Sequence, residues 1–119
     1  MRPRDVCTLA TACAVFAALP ASAQRKAERY AYVSNEVSHD LSVIDLSSNK
    51  VVARIPIGGR PRGIQTSPDQ RRVYVTRSDD QPSLQSSTDA IVAVDVATRQ
   101  IVATYHVGSD PEQFAITPD

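Results

Sequence analysis

The sequence predicts an all-β chain assembled from a tandem repeat, on three observations. Residues 41–69 return, fifty positions later, as residues 91–119. Both copies consist of short runs of β-branched and aromatic residues. Those runs are separated by turn-forming Gly, Pro, Asn, Asp and Ser. A fixed period of strand-like text sets the architecture before any single residue is interpreted. Short strands at regular spacing, punctuated by turns, mean a sandwich, a barrel or a ring of blades.

The two copies match segment by segment. Leu-Ser-Val-Ile-Asp-Leu at 41–46 becomes Ile-Val-Ala-Val-Asp-Val at 91–96. Ile-Pro-Ile-Gly-Gly-Arg-Pro at 55–61 becomes Tyr-His-Val-Gly-Ser-Asp-Pro at 105–111. Ser-Pro-Asp at 67–69 becomes Thr-Pro-Asp at 117–119. The shared residues concentrate where backbone geometry limits the choice of side chain. Gly58/Gly108 and Pro61/Pro111 bracket one connection, and Pro68-Asp69/Pro118-Asp119 open another. Asp45 and Asp95 each close a strand and are placed to accept from the N–H groups of the next turn.

The elements follow in order. Residues 1–23 read as a secretory signal peptide: Arg2 and Arg4 supply a positive start, 6–19 is apolar apart from Thr8 and Thr11, and Ala21-Ser22-Ala23 is a cleavage site. The apolar run falls short of the roughly 20 residues a bilayer span needs. A signal helix is expected there, with the mature chain starting at Gln24 in the periplasm or outside the cell and no membrane span after cleavage. Residues 24–29 form a charged linker. Strands are predicted at 30–34, 41–46, 50–57 and 63–66, then at 72–77, 90–96, 100–107 and 112–116. No stretch beyond the signal carries a helical period.

Four short strands per unit, in tandem, favour a β-propeller of four-stranded antiparallel blades over a sandwich. Counted along the chain, the strands fall as three, four and one, about two blades of an incomplete ring. Closed rings hold roughly 4–8 blades, so the sequence reads as the N-terminal part of a longer protein.

The motifs Tyr32-Val33-Ser34-Asn35, Ser42-Val43-Ile44-Asp45, Val51-Val52-Ala53-Arg54-Ile55-Pro56-Ile57-Gly58, Ser67-Pro68-Asp69 and Val73-Tyr74-Val75-Thr76 resemble the YVTN-type β-propeller repeat family. The resemblance covers essentially all of residues 30–119. It implies a secreted, seven-bladed ring in which 62–66 and 112–116 are innermost strands, 72–77 and 90–96 middle strands, and 100–106 an outer strand. Related propellers include quinoprotein-like dehydrogenases, haem-carrying nitrite reductases and lactonases. The sequence departs from the pattern at Gln70 and Arg99, where the family has Gly. A non-Gly residue held left-handed costs about 1–2 kcal/mol, so the turn at Arg99 is expected to take another type. An insertion also lengthens the second unit: Tyr32 to Asp45 is 13 positions, Tyr74 to Asp95 is 21. The extra residues fall within 77–89, a polar run that reads as a solvated loop with a capacity for binding.

Composition excludes several chemistries. The chain has 13 basic and 13 acidic residues, and removal of 1–23 leaves 11 and 12. Nucleic-acid or membrane-surface binding driven by net charge is therefore not predicted. Both cysteines, Cys7 and Cys13, lie in the signal, so the mature chain has no disulfide or thiolate site. His39 and His106 form no spaced metal pair, and no nucleophile elbow or phosphate loop is present. No metal and no cofactor is expected, and no catalytic residue is assigned. The strand order places Arg60, Arg62, Asp79, Asp80, Asp110 and Glu112 around one mouth of the channel. Mixed charge there suits a small polar or anionic ligand, or a docking protein. The expected function is a secreted binding or docking module. The resemblance adds a role beside a quinone- or haem-dependent oxidation system. The alternatives are a propeller enzyme, lactonase-like or quinoprotein-like, with its catalytic groups elsewhere, and a truncated fragment without independent function.

Overall fold

The computed structural model describes residues 29–80 and 86–118. The predicted signal peptide, the linker up to 28 and the centre of the insertion lie outside the described residues. Within them the protein is all-β, with seven strands: β1 (Tyr30–Asn35), β2 (Asp40–Asp45), β3 (Lys50–Pro56), β4 (Arg60–Thr66), β5 (Arg72–Ser78), β6 (Ala90–Asp95) and β7 (Ile101–His106). They form a three-stranded sheet, β1-β2-β3, and a four-stranded sheet, β4-β5-β6-β7. All pairings are antiparallel and join strands adjacent in sequence. Two such meanders in succession fit part of a β-propeller.

Turn chemistry explains where the strands stop. After β2, Asp45 Oδ1 accepts the Ser47 N–H at 2.7 Å, and the Asn49 N–H closes on the Asp45 carbonyl at 2.8 Å. After β6, Asp95 Oδ1 accepts the Thr98 N–H at 2.8 Å, and the Arg99 N–H closes on the Asp95 carbonyl at 2.8 Å. The expectation of a different turn at Arg99 is corrected. Arg99 is left-handed at φ 58°, close to Asn49 at 55°, and Gln70 shares the conformation at 58°. At Arg99 the paired carbonyl and carboxylate of Asp95 hold the backbone there, and the guanidinium sits 5.4 Å from the centroid of the Tyr30 ring. The copies also bulge at the same place: register shifts at Val43/Ile44 in the first sheet and at Ala93/Val94 in the second.

The core lies between the sheets. Leu41, Val43, Ile55 and Ile57 of the first meet Val73, Val75, Val92 and Val94 of the second, all buried. The cross-strand registers Leu41↔Ile55 and Val73↔Val94 place each set on one face. Burying a side chain of this size contributes about 1.5–3 kcal/mol. Hydroxyl-to-backbone bonds join the units as well. Ser34 on β1 donates to the Arg62 carbonyl at 3.0 Å.

One predicted strand is not a strand. Residues 112–116 form no ladder with any described residue. Instead the segment passes over β4 and β5. The Glu112 carbonyl lies 3.4 Å from the Thr76 hydroxyl, and the Phe114 carbonyl accepts from the Gln65 amide. A β-carbon at Gly63 would collide with the Glu112 carbonyl, so glycine there permits the approach. A strand needs a hydrogen-bonded neighbour, and the described residues supply none to 112–116.

Candidate functional site

Antiparallel order puts four connections at one end of the strands: 36–39 after β1, 57–59 after β3, 79–89 after β5 and 107–112 after β7. All six residues singled out in the sequence lie on or beside these connections. Arg60 donates to Glu36 Oε1 from Nε at 3.1 Å and from Nη2 at 2.6 Å, and Nη1 reaches the Asp79 carbonyl at 3.2 Å. Arg62 donates from Nε to the same Glu36 oxygen at 3.4 Å. Its Nη1 bonds the Glu112 carboxylate and stands 3.6 Å from Asp110 Oδ2. Arg60, Arg62, Asp110 and Glu112 thus form one cluster through side chains. Asp79 joins it through its backbone. Asp80 stands apart, 3.8 Å from His39 Nε2.

Glu36 sits at the centre of this cluster and went unassigned in the sequence. Its position in the second repeat is Ser78, so the repeat carries no signal for a carboxylate there. The hydrogen bond from Arg60, joined by Arg62, holds the Glu36 carboxyl below its usual value. Desolvation works against the charge on Arg62, but Glu112, Asp110 and Glu36 outweigh it and raise its pKa. Arg62 is therefore held charged, and both arginines are already engaged by carboxylates. Asp110 is left-handed at φ 48°, and its Oδ1 is shielded from solvent with no hydrogen-bond partner among the described residues. Its counterpart connection places Gly58 left-handed, at φ 80°. A shallow recess of about 390 Å³ opens here between Ser34, Glu36, Arg62, Glu112 and Gln113.

At the C-terminal end of the insertion, one polar residue is less solvated than the composition implies. Asp89 is fully buried, with Oδ2 accepting the Ser86 N–H at 3.0 Å and Oδ1 the Asp79 N–H at 3.4 Å. Arg77 binds the Thr88 carbonyl at 2.9 Å and the Ile57 carbonyl at 3.2 Å. The two ends of the insertion are thereby tied to β5 and to the connection before β4. Among the described residues, no group of three or more His, Cys, Asp or Glu side chains is placed to hold a metal ion. A larger recess of about 600 Å³ lies at the opposite end, lined by Arg29, Tyr30, Tyr32, Leu46, Pro68 and Val96. There the Tyr32 hydroxyl has no hydrogen-bond partner among the described residues, and burial raises its pKa.

No protein-family model matches the chain, and no curated protein matches it. Among solved structures it is similar to a chain of Kuenenia stuttgartiensis hydrazine synthase, with a TM-score of 0.61 and 21% identity. The match covers 71% of this chain and 22% of that one. The likeness is one of fold, and this chain spans about a fifth of its neighbour's length.

Proposed function

We propose that this chain is part of a secreted YVTN-type β-propeller, of seven blades when complete, whose mouth is a docking surface for a protein or a small polar ligand. One observation carries the reading: Glu36, Arg60, Arg62, Asp110 and Glu112, from successive repeats, converge at one end of the strands with opposite charges interleaved. A ligand binding there displaces carboxylates already paired with arginine, which favours a partner that presents both charges over a simple anion. Support for the family comes from the fifty-residue repeat, its shared turns and its shared bulges. The link to a quinone- or haem-dependent oxidation system rests on the family resemblance alone.

The test compares the parent and the Arg60→Ala/Arg62→Ala variant, each tagged and exported to the periplasm, by cross-linking followed by mass spectrometry. Loss of one or more defined partners in the variant is expected. An identical set of cross-linked partners removes the arginines from the docking surface.

A further inference from the structure

Asp89 is the one charged side chain among the buried described residues, with 1% of its surface exposed. Burying a carboxylate is costly unless hydrogen bonds replace its water. Two main-chain donors do so here: Oδ2 accepts the Ser86 N–H at 3.0 Å and Oδ1 the Asp79 N–H at 3.4 Å. The residue arrives with the insertion. Fifty positions earlier its counterpart is His39, so the first unit has no carboxylate at this place.

The bond to Asp79 leads to the mouth. The Asp79 carbonyl accepts from Arg60 Nη1 at 3.2 Å, while Nε and Nη2 of that guanidinium go to Glu36 Oε1 at 3.1 Å and 2.6 Å. Asp79 therefore stands between buried Asp89 and Arg60, its N–H given to one and its carbonyl to the other. It lies just past Ser78, the last residue of β5, which pairs with Arg60. A second route fixes the base of the same arginine. Arg77 bonds the Thr88 carbonyl at 2.9 Å and the Ile57 carbonyl at 3.2 Å. A β-carbon on Gly59 would come within 2.8 Å of the Thr88 side chain and 2.7 Å of the Ser78 carbonyl oxygen. The connection that delivers Arg60 is thus packed against the residue before Asp89. Both ends of the Arg60 side chain are set by neighbours of Asp89.

We propose that Asp89 is a positioning residue for the mouth: it fixes Asp79, Asp79 fixes the Arg60 guanidinium, and Arg60 holds Glu36 in the geometry a partner meets. This rests on the reading of the mouth as a docking surface. A binding group keeps its geometry when the hydrogen bonds behind it lock its rotamer. Arginine is a long, rotamer-rich side chain with a rigid fork at its tip, so each bond to the fork removes freedom from the whole arm. The third bond, to Asp79, is the one that does not depend on Glu36 itself. The buried end of the insertion thereby acts on the mouth without Asp89 touching a ligand.

The experiment uses the exported full-length chain with isotope-labelled glutamate carboxyls and arginine side chains. Two signals are read by NMR: the acid titration of Glu36 and the exchange of the Arg60 Nε–H with water. In the parent, Glu36 titrates below its ordinary value because Arg60 bonds it. In Asp89→Ala its midpoint is expected to rise toward that value. The Arg60 Nε–H should exchange faster, by about threefold or more, the worth of one hydrogen bond. Val94→Ala, in the core at the far end of β6, lowers stability without touching this chain of bonds, and both signals should stay as in the parent. If Asp89→Ala does not fold, Asp89→Asn decides. There one acceptor becomes a donor, one N–H loses its partner, and both signals should move in the same direction. Unchanged Glu36 and Arg60 signals in the folded Asp89 variant overturn the proposal, and so does an equal change in Val94→Ala. Neither signal involves a partner, so failure here is distinct from failure of the cross-linking test of docking.

Discussion

Arg62 and Glu112 occupy the same position in successive repeats, carry opposite charges and bond each other. A tandem repeat usually sets like against like at equivalent positions, and here the second copy has reversed the sign. Reversing both charges by Arg62→Glu with Glu112→Arg restores the attraction, whereas either change alone sets like charges together. Arg62 also faces Glu36 and Asp110, so the single change Arg62→Glu is the more damaging of the two. A double-mutant cycle on thermal stability is expected to give a favourable coupling of about 0.2–1 kcal/mol, as for a partly exposed pair. A coupling of zero would mean that the contact contributes nothing to the joint.

The Thr76 hydroxyl is fully buried and accepts the Gly63 N–H at 2.7 Å. Thr76→Val keeps the shape and leaves that N–H buried without a partner. The expected loss is about 1–3 kcal/mol in chemical denaturation. Thr76→Ser keeps the hydroxyl and should lose less. If Val and Ser prove equally stable, the hydrogen bond is not what Thr76 provides.

Gln70 is exposed and left-handed, and its N–H closes the turn on the Ser67 carbonyl at 2.9 Å. Gln70→Gly removes a conformational penalty of about 1–2 kcal/mol and adds unfolded-chain entropy worth about 0.4–1 kcal/mol. A net gain of about 0.5–1 kcal/mol is expected, read as a raised melting temperature. Arg99→Gly should gain less, because it also loses the contact with Tyr30. A lower melting temperature for Gln70→Gly contradicts the argument.

Five carboxyls are held below their ordinary values. Hydrogen bonds from Arg60 act on Glu36, from Asn35 on Asp40, from Ser47 on Asp45, from Ser67 on Asp69 and from the Thr98 N–H on Asp95. A carboxyl with a depressed folded pKa stabilises the fold above its unfolded value, and that contribution is lost as pH falls through the folded one. The ordinary values are 4.5 for Glu36 and 3.8 for the four aspartates, so loss should begin below the first and deepen below the second. Melting temperature should be level near neutrality and fall between about pH 5 and about pH 3. A flat profile over that interval would contradict the assignment.

Much of the fold is legible because turns are local. Asp45 and Asp95 bond atoms within three residues, and each strand bound they set agrees with the sequence to within a residue or two. Residues 112–116 show the limit: pairing is a relation between two segments, and one segment cannot declare it. Glu36 was hidden because its repeat mate is Ser78, and Asp89 because a buried carboxylate in a polar loop looks the same in sequence as an exposed one. The convergence of Arg60, Arg62, Asp110 and Glu112 followed from strand order. Which carboxylate each arginine takes is set by side-chain reach, which period and composition do not encode.

The bonds from Ser34 to Arg62 and from Thr76 toward Glu112 end on main-chain carbonyl oxygens. Every amino acid carries that acceptor. These two bonds therefore make no demand on the side chain of the residue they grip, and that side chain carries opposite signs in the two copies. Such a scaffold can keep its joints constant while the chemistry displayed around its mouth diverges.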